Sequence, residues 1–213
     1  MARGRKKQYH KEDVLTKAME VFWRKGYEGA HLKELVEYTG LNRFSLYSEF
    51  DGKEGLFCEA LAHYLKMARE IYLTQLGQTP RHIDNIYGYF DSIQFGDDYH
   101  GCMMVNTLNN QHAVPKAAFE MATDFTKWVR NLYLENLKSA VRQGIILEQS
   151  PIENWCDLLL SFDLGLAISG IPIKTLNSGV LARQCLDALL QAQHLKKLPL
   201  EEKVEVKIEN KDD

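Results

Sequence analysis

Hydrophobic positions recur at helical spacing through almost the whole chain. From Lys11 to Arg24, Val14, Ala18, Val21 and Phe22 form one apolar stripe, widened by Leu15 and Met19. That pattern predicts an amphipathic helix stopped by Lys25-Gly26. The stretch Gly26–Phe57 then holds two shorter periodic segments: Leu32, Leu35 and Val36 on the first, Leu46 and Phe50 on the second. Thr39-Gly40-Leu41 lies between them, where glycine lets the chain reverse at positive φ, and Asn42 is placed as an N-cap for the second segment. Two short helices joined by a glycine turn, braced by a preceding helix, form a helix-turn-helix pattern, which makes double-stranded DNA the first partner to consider.

Beyond Phe50, Asp51 is positioned to cap a helix from about Lys53 to Leu76, carrying Leu56, Phe57, Ala60, Leu61, Tyr64 and Leu65. At ~1.5 Å per residue it would exceed 30 Å, enough to link two domains. Gly77-Gln78-Thr79-Pro80 ends it, a shorter helix runs from Pro80 to about Ile93, and a loop spans Gln94–His100. A short apolar helix is expected within Gly101–Gln111. Pro115 marks the first turn of a long helix that stops at Gly144, Pro151 opens the next, and a last helix runs from about Leu176 to His194. The final two are apolar over much of their circumference, with Gly165, Ala167, Ser169 and Gly170 small enough for close approach. Such a pair predicts a homodimer interface; the alternative is a buried central hairpin. The fold class is therefore all-α. An N-terminal three-helix DNA-binding domain (1–52, with a basic arm) precedes a helical effector-binding and dimerisation domain (53–196). A charged tail (197–213) follows, expected to be disordered.

Composition narrows the function classes. With 213 residues, 45% hydrophobic, the chain can bury a substantial core. No apolar run reaches the ~18 residues that span a bilayer, and no apolar segment follows Met1 as in a signal peptide, so the cytoplasm is the expected location and no membrane partner is expected. Cys58, Cys102, Cys156 and Cys185 are widely spaced, without the close Cys/His pairs of a zinc site. No metal or cofactor is expected. No nucleophile–base pair or phosphate-cradling glycine loop is visible, so an enzyme is not expected. The net charge of −3 hides an asymmetry. Residues 1–53 hold 11 Lys/Arg against 8 Asp/Glu, and the remainder 15 against 21. A basic head on an acidic body suits binding of DNA through one face.

Phe22, Gly26-Tyr27, Leu35, Gly40-Leu41, Leu46-Tyr47, Phe50, Lys53-Glu54 and Leu56 fall in the order and spacing of the tetracycline-repressor (TetR) family, which residues 11–60 resemble closely. The resemblance implies that residues 42–50 form the recognition helix, with Asn42, Arg43, Phe44 and Ser45 at its base-facing start. It also implies that Tyr47 and Lys53 meet phosphates and that Lys33 is a further DNA contact. The chemistry agrees: Arg43 can pair bidentately with guanine, and an exposed Phe44 could touch a thymine methyl, unless it is a core residue. Tyr47 could also be core, though its hydroxyl prefers a polar partner such as phosphate. Two departures stand out. Ala30-His31 replaces the usual hydroxyl cap of the second helix, and Glu49 places a negative charge late in the reading helix.

For the second domain, the segment Gly101-Cys102-Met103-Met104-Val105-Asn106 is similar to one in a branch of the family, some of whose members sense electrophiles or oxidants through a cysteine. A thiol early in a short helix, beside His100, could have a stabilised thiolate; the alternative is a packing cysteine. Tyr87, Phe90, Met104, Phe125 and Trp128, with Cys102, are candidates to wall a cavity for a small-molecule effector, or they are plain core. The expectation is a ligand- or redox-responsive repressor that binds a palindromic operator as a homodimer. The alternatives are a thiol-based sensor using Cys102 and a helical adaptor with weakened DNA binding.

Overall fold

The first stripe folds as α1 (Lys11–Gly29), which buries Val14, Leu15, Ala18, Met19, Val21 and Phe22. Its regular turn is broken at Gly26, whose φ of 69° lies in the left-handed region. The computed structural model describes residues 9–173 and 175–193, and among these it contains nine α-helices and no strand. The start of the expected basic arm, residues 1–8, and the expected charged tail lie outside the described residues.

α2 (Leu32–Thr39) ends at Gly40, φ 75°, whose N–H donates to the Val36 carbonyl. The Thr39 hydroxyl donates to the Leu35 carbonyl at 2.5 Å and accepts from the Leu41 N–H at 3.3 Å, closing the turn. The Asn42 side chain then accepts from the Ser45 N–H at 2.8 Å, so α3 (Arg43–Phe50) is capped as its sequence predicts. His31 precedes α2 but makes no side-chain cap bond, so nothing replaces the hydroxyl missing there.

Asp51 behaves differently from expectation. It takes a left-handed conformation (φ 57°) and makes no side-chain bond to α4 (Gly52–Gln75). Its N–H instead donates to the Leu46 and Tyr47 carbonyls, closing α3. One residue joins the two helices, so its backbone is consumed by the reversal and its carboxylate is turned away from the next cap. The corner is tight: a Cβ on Gly55 would lie 1.6 Å from the Phe50 carbonyl oxygen.

The chain continues through α5 (Ile83–Ser92), α6 (Met103–Asn109), α7 (Lys116–Arg142), α8 (Ile152–Ser169) and α9 (Ser178–Ala192). Pro115 directly precedes α7 rather than sitting inside its first turn. α7 is central, packing on α4, α5, α6 and α8, and its Leu132, Tyr133, Leu137 and Ala140 lie in the core. The last two helices do not form a buried hairpin, because α8 packs chiefly on α7 and α9 on α5. Each keeps apolar side chains in solvent: Leu158 and Ile168 on α8, Val180 and Leu181 on α9. Gly170 has an internal use, since a Cβ there would fall 2.2 Å from the Phe95 ring.

Candidate functional site

The short α3 splits cleanly into two faces. Leu46 (0% exposed) and Phe50 (3%) anchor it in the core shared with α1 and α4. Arg43, Phe44, Tyr47 and Ser48, at positions i, i+1, i+4 and i+5, point to solvent. Phe44 is 81% exposed and Tyr47 58%, so neither is a core aromatic. Desolvating a phenylalanine ring would favour burial by ~2 kcal/mol, yet this ring is held out in water on a helix anchored from behind. Ser45 is half-buried, its N–H taken by Asn42 and its carbonyl by the Ser48 hydroxyl. The Tyr47 ring packs against Gly52, where a Cβ would meet it at 3.0 Å.

The basic residues around this face are placed differently from one another. Lys33 stands free in solvent on α2, with only a long 3.9 Å pairing to Glu37. Lys53 is half-buried at the start of α4: its ammonium sits 4.6 Å over the Tyr27 ring and donates to the Glu28 carbonyl at 3.4 Å. Burial lowers its pKa, partly countered by Glu28. Glu49 is also half-buried and lies beside the Tyr9 phenol. Burial, then Glu49, push that phenol up to about 12.

The second site is an apolar cavity of about 160 Å³ between α4, α5, α6, α7 and α8. Of the residues expected at a cavity, Cys102, Met104 and Phe125 line it. Three others lie elsewhere. Phe90 is fully buried core, stacked on Tyr133. Tyr87 ties α5 to α9 through a 2.6 Å bond to Asp187, with Arg183 over its ring. Trp128 carries the Arg69 guanidinium on its face, 4.0 Å from the ring centroid. The periodicity of α5 and α7 marks all of these as inward-facing but does not distinguish cavity wall from core.

Cys102 is the residue before α6, and the Tyr64 hydroxyl donates to its Sγ at 3.2 Å. Burial raises the thiol pKa against the lowering effect of that bond and of the Val105 and Met104 N–H groups. The anticipated thiolate stabilisation is therefore outweighed by desolvation. His100 is exposed and meets Trp23 edge-on, 6.5 Å between ring centroids.

Sequence reasoning missed the cavity's one charged residue. Asp163 on α8 is buried and accepts hydrogen bonds from Tyr89 (2.9 Å), Tyr72 (3.0 Å) and Tyr133 (3.1 Å). Burial drives its pKa up to about 6 despite the three phenols, which pull it down. The available signal was a single carboxylate within the apolar run of α8.

One contact between the cavity wall and the reading head runs through Trp23. Trp23 of α1 donates its indole N–H to the Gly101 carbonyl at 2.9 Å and packs edge-on against Tyr64, 5.4 Å between centroids. Tyr64 lines the cavity.

A buried scaffold that presents one short solvent-facing helix, held at its N-terminus by a glycine turn and an asparagine cap, defines a helix-turn-helix protein. The family model for bacterial regulatory proteins of the tetR family matches residues 14–60. The HTH-type transcriptional repressor ComR of Escherichia coli (strain K12) is 36% identical over 138 residues, which are 56% of this chain and 66% of ComR. The HTH-type transcriptional repressor BdcR of the same organism is 34% identical over 62 residues, 29% of this chain and 32% of BdcR. These matches thus span just under two thirds of one relative's length and about a third of the other's. A solved structure of a cysteine mutant of the TetR family transcriptional regulator CifR, complexed with 26bp double-strand operator DNA, matches with a TM-score of 0.73. It is 25% identical, and the match covers 88% of this chain and 99% of that one. Residues 14–60 thus carry the tetR family match, and the fold of the described residues is similar to that of a TetR family transcriptional regulator over 88% of this chain.

Proposed function

We propose that this protein is a DNA-binding transcriptional repressor that grips a palindromic operator as a homodimer and releases it when a small molecule occupies the cavity. The observation that carries the reading is the outward face of α3, with Arg43, Phe44 and Tyr47 exposed on a helix whose other face is fully buried. Arg43 offers a bidentate donor to guanine, Phe44 an apolar contact, and Tyr47, Lys33 and Lys53 are the phosphate contacts. Bases would be read by Arg43 and Phe44 together with Asn42 and Ser45 at the helix start. The exposed apolar side chains of α8 and α9 supply the dimer interface, and two reading helices would enter successive major grooves ~34–36 Å apart. The division into a reading head through residue 52 and an effector domain from residue 53 follows, with α4 as the lever between them. The site of action would be the cytoplasm, and no catalytic role is assigned.

Support also comes from relatives named as repressors and from the operator complex of CifR. The test is fluorescence anisotropy on a duplex selected from a random pool, against a scrambled duplex, across a salt series. Arg43→Ala should cost ~1–3 kcal/mol on the selected duplex and relax specificity there. Lys53→Ala should weaken both duplexes alike and reduce the salt slope by about 1. Equal affinity of the unaltered protein for both duplexes would overturn the proposal.

Cys102 lines the cavity, which keeps a thiol-based response as a second reading. A Cys102→Ser variant that retained full operator release by oxidants and electrophiles would remove it.

A further inference from the structure

The cavity has a polarity that the family match leaves unexplained. Its walls are hydrocarbon and aromatic ring, yet Asp163 stands in them, and among the described residues no cationic side chain pairs with it. Arg69 does not line the cavity and is engaged with the faces of Trp128 and Phe125. The hydrogen-bond partners of Asp163 are three phenols, each donating, and each dipole favours the ionised carboxylate. A neutral core would be served by leucine at this position without the desolvation cost of a charge. The arrangement instead holds a negative charge in an apolar chamber.

The aromatic lining is compatible with the same sign. Tyr64, Tyr72, Tyr89, Tyr99, Phe95 and Phe125 all line the cavity, and an aromatic ring attracts a cation to its face through its quadrupole. A free anion would meet the carboxylate and these faces together, and a neutral apolar guest would leave the charge unanswered.

We infer that the cavity is a binding site for a small organic cation of the aromatic or alkyl ammonium type, with Asp163 as its counter-ion and the surrounding rings as its cage. The proposal rests on the cavity being the effector site. Its volume of about 160 Å³ is close to the ~150 Å³ that accepts benzene in an engineered apolar cavity, so the guest has roughly six to nine non-hydrogen atoms. The cation's charge centre would sit against Asp163 while its hydrocarbon part packs on Tyr72 and Phe125.

The experiment compares two probes of nearly the same shape, N-methylpyridinium and toluene, by calorimetric titration into the full-length protein. At pH 8 the cation should bind at least ten-fold more tightly than toluene. Its charge does not titrate, so its affinity should fall about ten-fold by pH 5 as Asp163 becomes protonated, while that of toluene stays flat. The groups facing Asp163 from the other elements are Tyr72, Tyr89, Tyr99, Cys102 and Tyr133. Burial raises the pKa of each, so all stay neutral across this range. Asp163→Asn should abolish the preference for the cation; if that variant fails to fold, the pH series on the unaltered protein still decides. Toluene binding as tightly as the cation, or cation affinity that ignores pH, overturns the proposal and leaves the effector cavity standing. Binding of neither probe overturns the proposal together with the effector-site reading.

Discussion

Replacing Asp163 by asparagine should stabilise the protein at neutral pH, and the size of the gain follows from the site. The carboxyl pKa is raised from 3.8 to about 6 by burial. A group whose folded-state pKa is raised favours the folded state fully below its unfolded value and loses that contribution as pH rises through the folded value. The shift is about two units at ~1.36 kcal/mol each, so the ionised carboxylate costs ~3 kcal/mol at pH 8 relative to its protonated form. Roughly 2 kcal/mol of that cost develops between pH 4.5 and 8. Asparagine keeps an acceptor for the phenols and removes the charge. The other carboxylates of the protein titrate in both variants, so the difference between them isolates this one. Urea unfolding monitored by circular dichroism, at half-unit steps of pH, should show the Asp163→Asn variant gaining ~2 kcal/mol over the unaltered protein between pH 4.5 and 8. That corresponds to a rise of roughly 4–8 °C in Tm at the upper end. A stability difference that is constant across this range would refute the reasoning, because it would place the same proton affinity on Asp163 in both states.

Three further outcomes follow from the reading head. Leu46→Ala removes a fully buried side chain beneath α3 and should cost ~2–5 kcal/mol in denaturant unfolding. Phe44→Ala removes a side chain that is 81% exposed; stability should change by less than ~0.5 kcal/mol, while the sequence preference in a selection from random duplexes should shift. Gly55→Ala would bring a methyl group against the Phe50 carbonyl, which can yield only by moving α3 off α4, so both stability and operator binding should drop; unchanged anisotropy titrations would contradict the tight corner.

Helices and turns were legible because each rests on local chemistry. The stripe of α1, the Gly40 turn and the Asn42 cap all depend on residues within a few positions of one another. Asp51 shows the limit: aspartate is a good cap, but whether its side chain or its backbone is used depends on how many residues separate α3 from α4. Phe44 and Tyr47 could not be assigned to core or surface because they share one side of a short helix with the buried Phe50, and only packing against α1 and α4 decided it. The cavity was the least legible part. Its walls come from five helices, and the difference between Phe125, which lines it, and Phe90, which fills the core, is a matter of which neighbour is absent. Asp163 was overlooked because a third carboxylate in a helix that already carries Glu153 and Asp157 reads as a solvated position until three tyrosines from three other helices converge on it.

The same site supplies a route by which the proposed effector cavity would act on α3 at a distance. A ligand shifts an equilibrium only by the difference between its affinities for two states, so some element in contact with the cavity must also be in contact with the head. Two elements meet that condition. α4 carries Tyr64 and Tyr72 into the cavity wall and Leu56 and Gly55 into the corner with α3. The Trp23 indole bridges from α1 to Gly101, the residue before Cys102, and to Tyr64 itself. Tyr72 donates to Asp163 from α4, about one turn beyond Ala68 of the same wall. A cation that neutralises Asp163 therefore changes the balance of a bond made by the very helix on which the reading head is mounted. An isolated buried charge costs stability at every pH above its pKa, and its retention in α8 is accounted for if the unliganded protein is meant to hold an unanswered charge that a guest relieves. On that reasoning the stability lost to Asp163 and the affinity for the cation share one origin, and the Asp163→Asn variant should gain the first while losing the second.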